Sequence, residues 1–136
     1  MRFDPANDYP IGQKRPDLVA TPAGVPLDGI TLEAMRRGAL AWGDLRATGD
    51  ALRLQAEIAA AAGRRPLAEN LQRAAELATI PSGTILEIYT ALRPHRSTAA
   101  QLETWAKKLE AANAPLSAAF VREAAQVYAK RGLLAD

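Results

Sequence analysis

Cysteine is absent from this 136-residue chain and histidine occurs once. Disulfide frameworks, thiol redox chemistry, iron–sulfur clusters and cysteine-based zinc sites are thereby excluded. Aromatic residues are scarce: two Trp, three Tyr and two Phe make up 5% of the chain, so any core must be built mainly from smaller side chains. No apolar run approaches the ~18 residues of a membrane span and no stretch reads as a signal peptide, because Pro or a charge interrupts each one early. The sequence is therefore expected to be cytoplasmic, with no membrane partner. A charge of one sign is missing too, since 17 Lys and Arg face 15 Asp and Glu for a net +2. The pI of 9.2 sounds basic, yet residues 1–79 contain ten of each sign and the excess falls in 80–136, seven against five. Nucleic-acid binders concentrate basic residues into a stripe, and this distribution argues against nucleic acid as the partner.

What is abundant is alanine, 30 residues, with 17 Leu behind it; both are strong helix formers. Five of the nine prolines (Pro5, Pro10, Pro16, Pro22 and Pro26) crowd the first 26 residues and leave no room for a helix of more than a turn or two. Residues 1–27 are expected to form an extended arm, able to reach roughly 80–90 Å when stretched. Phe3, Tyr9, Ile11, Leu18, Val19, Val25 and Leu27 favour an arm docked on a partner over a solvated tail. From residue 28 the pattern is helical. Thr31 caps a short helix stopped by Gly38, Thr48 caps one stopped by Gly63, and Pro66 opens the next. Ser82 is read as the cap of a helix that ends before Pro94, Thr98 with Gln101 forms a capping box, and a last helix opens near Pro115 with Leu116, Phe120, Ala124, Val127 and Tyr128 on one face. The fold class is all-α: a short-helix bundle, 28–136, preceded by an extended Pro-rich N-terminal arm, 1–27. A core so poor in large side chains implies that the chain leans on a partner.

Catalysis needs a nucleophile with a base, paired carboxylates, a metal cluster or a phosphate loop. His95, the single histidine, lies in the loop Arg93-Pro94-His95-Arg96 with no carboxylate closer in sequence than Glu87 or Glu103, so it reads as a surface or interface residue. Arg93 and Arg96 read as ion-pairing groups for carboxylates of this chain or of a partner rather than as a phosphate site, because no Gly-rich cradle accompanies them. Glu69 with Arg73 and Glu103 with Lys107 have the spacing of i,i+4 surface pairs. Tyr89 and Trp105 fall on apolar stripes and read as core or interface. No catalytic, cofactor-binding or metal-ligating residue is assigned.

Several segments, in order, resemble the small subunit of the coenzyme B12-dependent diol and glycerol dehydratases: Asp8-Tyr9-Pro10, KRPDLVATPAG at 14–24, LDGITLE at 27–33, LRLQAEIA at 52–59, LAENLQRAAEL at 67–77, ILEIYTALRPHRST at 85–98 and AFVREAAQVY at 119–128. The resemblance runs from about residue 8 to 134. It implies a heterohexamer with two copies each of large, medium and small subunits. In that family the large subunit is a TIM-type barrel that holds the diol, adenosylcobalamin lies between the large and medium subunits, and the small subunit is helical and non-catalytic. The implied reaction turns 1,2-propanediol, glycerol or ethanediol into the aldehyde and water. The interface candidates on this chain are Tyr9, Pro10, Arg15, Pro16, Arg93, Arg96 and Arg122. Two departures stand out: only seven residues precede Asp8, where many diol dehydratase small subunits have a longer extension, so encapsulation in a microcompartment through this chain is not expected; and Gly29 replaces a common acidic residue. The residue-level alternative is a stand-alone helical binding module, nucleic-acid-associated on the strength of its pI.

Overall fold

A computed structural model describes residues 2–136, and among them are seven α-helices and no strand. They are α1 (Ile11–Lys14), α2 (Leu32–Arg36), α3 (Gly49–Ala61), α4 (Arg65–Leu77), α5 (Ser82–Ala91), α6 (Ala99–Ala111) and α7 (Pro115–Arg131). The chain is all-α, as its alanine content and cap spacing predict, and no described helix is long and apolar enough to cross a membrane. Contacts group it into two compact units, Met1–Ala78 and Thr79–Asp136.

In the first unit the proline-rich segment turns back and forth between its prolines instead of running straight. After α1, short 3-10 helices occupy Pro16–Leu18 and Leu27–Gly29. Between them Thr21 closes a tight loop: its N–H donates to Val25 O at 2.9 Å and its Oγ1 accepts from Val25 N at 3.1 Å, with Gly24 in the left-handed region at φ 83°. At the junction with α2, a Cβ on Gly29 would lie 2.8 Å from Val25 Cγ1. An acidic side chain there would force Val25 aside, which is the physical consequence of glycine at this position.

The larger part of the unit is the hairpin α3–α4. Thr48 Oγ1 accepts from Ala51 N at 3.1 Å to start α3. Gly63, at φ 75°, ends it through Arg64 N–H to Ala59 O and Gly63 N–H to Ala60 O, a Schellman arrangement. Pro66 then sits in the first turn of α4, where its missing N–H costs nothing. The helices meet along Ala56, Ala59, Ala68 and Ala75, all at most 5% exposed. Methyl-sized contacts allow close approach of the two backbones, but each buries little apolar area.

The second unit repeats this plan about 50 positions later. Thr98 stands to α6 as Thr48 does to α3, with a full capping box: Thr98 Oγ1 accepts from Gln101 N at 3.2 Å and Gln101 Oε1 from Thr98 N at 2.9 Å. Asn113, at φ 58°, takes the place of Gly63, with Ala114 N–H bonded to Leu109 O. Asn tolerates the left-handed region better than most side chains. Pro115 opens α7 as Pro66 opens α4. Leu102, Ala106, Leu109, Ala114, Ala118 and Val121, none more than 2% exposed, form the seam. Leu102 and Val121 are the largest fully buried side chains, so this hairpin buries more apolar surface than its alanine-only counterpart. The tyrosine hydroxyl of Tyr128 donates to Leu92 O and ties α7 to the end of α5.

Two local expectations change. Ser82 is the first residue of α5 rather than its cap; Pro81 occupies the cap position and offers no side-chain cap bond. On α7 the buried face runs through Ser117, Ala118 and Val121, while Leu116 and Phe120 remain 47% exposed. The small residues face α6 because only they permit the close packing that the hairpin turn imposes.

Leu102→Ala is expected to lower the stability of the full chain by about 2–5 kcal/mol, because the seam cannot collapse around the cavity. Thr98→Ala should cost about 1 kcal/mol through the lost cap. Urea unfolding followed by far-UV circular dichroism measures both.

Candidate functional site

The arginines divide into those that a carboxylate of the same chain engages and those that none does. Arg15, its side chain 16% exposed, sits between Asp8 (3.2 Å) and Asp17 (2.9 Å), with a further bond from Nε to Asp17 Oδ1 at 3.0 Å. Its elements are the turn before α1 and the 3-10 helix after it. The Arg15 hydrogen bond holds the Asp17 carboxyl below its ordinary value, and Asp17 in turn raises the Arg15 guanidinium. Around it, Lys14 Nζ donates to Asn7 O at 2.7 Å and the Asp4 carboxylate accepts from Ala6 N and Asn7 Nδ2. The segment bearing Tyr9, Pro10 and Pro16 is thus pinned by side-chain bonds. All three of those residues are exposed, and the Tyr9–Pro10 peptide is cis.

A cleft of about 440 Å³ lies between this segment and the α3–α4 hairpin, bounded by Pro5, Ala6 and Tyr9 on one side and by Ile58, Leu67 and Leu71 on the other.

Arg122, on α7, is the centre of the second clamp. It reaches Glu103 on α6 at 3.0 Å through Nε and 2.9 Å through Nη2, and a second α6 carboxylate, Glu110, through Nη1 and Nη2. Glu103 and Glu110 are seven residues apart, two turns, so they share the face of α6 that looks across at α7. Hydrogen bonding from Arg122 lowers both carboxyls below 4.5, and they raise the guanidinium further above its already high ordinary value. Glu103 therefore pairs across the hairpin and not with Lys107, which contributes to it only as a nearby charge. The helical spacing to Lys107 is correct, but a bidentate guanidinium offers better geometry than an ammonium on a flexible stem. Lys108 instead lies over the Trp105 ring, 4.4 Å from its centre.

Arg93 and Arg96 differ. Both are exposed, and no carboxylate among the described residues pairs with either. Their loop is nonetheless held firmly: His95 N–H donates to Leu133 O at 2.7 Å, Ala135 N–H to Ser97 O at 2.9 Å, and buried Ser97 Oγ to Ala91 O at 2.8 Å. His95 takes the left-handed conformation at φ 62° and its ring is exposed. Next to the loop, α5 presents Leu86 (66% exposed) and Tyr89 (60%), which settles Tyr89 as a surface residue and not a core one. No group of three or more His, Asp or Glu among the described residues is placed to hold a metal.

The Arg122 clamp makes a pH prediction. Glu103 and Glu110 have folded-state pKa values below their unfolded ones, so their stabilisation is fully present above about pH 4.5 and is lost as pH falls through the depressed folded values. The thermal midpoint of the full chain should fall with acidification in that range, and Arg122→Gln should flatten the dependence while lowering the midpoint at neutral pH.

Residues 5–135 match the family described as dehydratase small subunit. Over 125 residues, 91% of this chain and 73% of the relative, the sequence is 50% identical to the propanediol dehydratase small subunit of Citrobacter freundii. Over 126 residues, 92% of this chain and 73% of the relative, it is 48% identical to the propanediol dehydratase small subunit of Salmonella typhimurium (strain LT2). The match spans both units, the proline-rich turns as well as the two hairpins, and the chain belongs to the dehydratase small subunit family.

Proposed function

We propose that this chain is the non-catalytic small subunit of an adenosylcobalamin-dependent dehydratase that converts 1,2-propanediol, and by the same chemistry glycerol or ethanediol, to an aldehyde and water. The observation that carries the reading is its likeness to two propanediol dehydratase small subunits across nine-tenths of its length. The chain's surface supports a partner-dependent role. Trp42 is 82% exposed, Leu32 68%, Leu86 66% and Tyr89 60%, large apolar side chains that a second protein would cover.

A corrinoid does not fit the one cleft described above. The cleft beside Tyr9 is small for so large a ligand, and its lining is mostly Ala, Ile and Leu with Gln55 and Arg64 as the polar side chains beyond Tyr9. In this reading the cofactor and the diol belong to the large and medium subunits, two copies of each assembling with two of this chain. The small subunit acts by linkage: whatever binds only the folded assembly stabilises it. Within it, residues 1–27 serve as the docking arm and 28–136 as the helical body. Tyr9, Pro10, Pro16, Arg93 and Arg96 face the partner. Arg15 and Arg122 act behind that surface by holding its supports in place.

Large and medium subunits expressed without this chain should form aldehyde with adenosylcobalamin at a lower rate and lose activity faster on warming than the three-subunit enzyme. The isolated chain should bind no cobalamin at micromolar concentration. Equal activity and equal lifetime of the two preparations would overturn the reading. Removing residues 1–27 should lower the yield of complex, measured by size-exclusion chromatography, while the helical signal of the remainder persists.

A further inference from the structure

We infer that residues 133–136, which follow α7, form a strap that holds the α5–α6 connection in its conformation, so that the two segments order and release together. The effect of the strap on assembly rests on the small-subunit reading above; the strap itself does not.

The strap begins where α7 stops. Gly132 takes the left-handed conformation at φ 65° and Leu133 N–H donates to Tyr128 O at 2.9 Å, a helix end that turns the chain away from the α7 axis. The residues beyond run beside 95–97: His95 N–H donates to Leu133 O at 2.7 Å and Ala135 N–H to Ser97 O at 2.9 Å. Each segment thus gives one donor and one acceptor to the other. Leu133 and Ala135 are half-buried and Ser97 is buried, so three of the four bonded residues are partly or wholly withdrawn from water.

The connection has little of its own to fix it. Its internal backbone bonds, Arg93 N–H to Thr90 O and Arg96 N–H to Arg93 O, are both 3.2 Å, the long end of the normal range. Ser97 Oγ adds a bond to Ala91 O at 2.8 Å, but His95 lies between those two residues and stands at φ 62°. A side-chain-bearing residue keeps that uncommon conformation where its surroundings over-determine it. At His95 the determining contact is the bond to Leu133 O, shorter than either internal one.

Coupling follows from how few contacts hold the strap. Ordering four residues costs more conformational entropy than a single hydrogen bond returns, so loss of either bond releases both. Arg93 and Arg96 flank His95, and the placement of their backbone therefore depends on the strap.

Amide hydrogen exchange of the full chain, read by NMR, tests the coupling in both directions. Ala135→Pro removes one N–H donor without touching the His95–Leu133 pair, yet protection of the His95 amide should fall roughly 3–10-fold. His95→Val puts a β-branched residue at a left-handed position and should lower protection of the Ala135 amide by a similar factor, as reciprocal coupling requires. His95→Asn, which tolerates that conformation, should leave it near the wild-type value. The amide of Arg64, at the turn of the first hairpin, should not change in any variant. Unchanged protection of His95 in Ala135→Pro would overturn the inference. So would a loss spread equally through α6 and α7, which would report unfolding of the hairpin and not release of a strap. Should Ala135→Pro misfold, the contrast between His95→Val and His95→Asn decides alone. Binding to the large and medium subunits is a separate measurement, and on the small-subunit reading Ala135→Pro should bind severalfold more weakly. Faster exchange with unchanged binding would support the strap and remove Arg93 and Arg96 from the partner surface. A wild-type chain that failed to join the larger subunits would bring down the small-subunit reading, with the exchange result unaffected.

Discussion

Close approach of paired helices is the constraint on which both units depend. Where α3 meets α4 the touching residues are alanine, and where α6 meets α7 alanine alternates with Leu102, Leu109 and Val121; a larger side chain at Ala56, Ala75, Ala106 or Ala118 would push the helices apart. The turns enforce the same spacing. A left-handed residue followed shortly by proline sends the second helix straight back along the first, at Gly63 and Pro66 and again at Asn113 and Pro115. Capping threonines fix where each first helix starts, and α3 and α6 are both 13 residues long.

Such seams have an energetic consequence. Alanine contacts pack densely but remove little apolar area from water, so the margin of stability in each unit is small for its length. Charged clamps compensate within the chain: Arg122 ties two turns of α6 to α7, and Arg15 ties the segment before α1 to the one after it. Both clamps are partly exposed and are strengthened mainly by bidentate geometry. Several large apolar side chains, Trp42, Leu86 and Tyr89 among them, stand on the surface.

The relation between the two units also bears on function. The connection between the short helix and the hairpin is the place where the repeat diverges most. In the first unit it is the 3-10 helix Trp42–Leu45, closed by Asp44 Oδ2 accepting from Ala41 N at 2.8 Å and presenting Trp42. In the second it is the loop that presents Arg93 and Arg96. The hairpins keep the scaffold constant while these connections differ in chemistry, one aromatic and the other cationic.

Much of this was legible in the linear chain, and the reason is local. Caps and stops act over three or four residues, so Thr31, Thr48, Thr98, Gly38, Gly63 and Pro115 mark helix ends without knowledge of the rest. Ordered segments such as KRPDLVATPAG and ILEIYTALRPHRST identify the family for the same reason: they are read along the chain. What only the tertiary structure decided concerns residues far apart in sequence. Helical spacing offered Glu103 to Lys107, but folding the hairpin set Arg122 opposite it. Apolar periodicity placed Leu116 and Phe120 together on one face, but the close seam with α6 admitted Ser117, Ala118 and Val121 and left the larger pair half exposed. The exposure of Arg93 and Arg96, and the anchoring of their loop by Leu133 and Ala135, depend on the C-terminal residues returning to a point some forty positions earlier. A pattern within one helix reports which residues share a face; only the neighbour that packs against it determines which face is buried and which charge is answered.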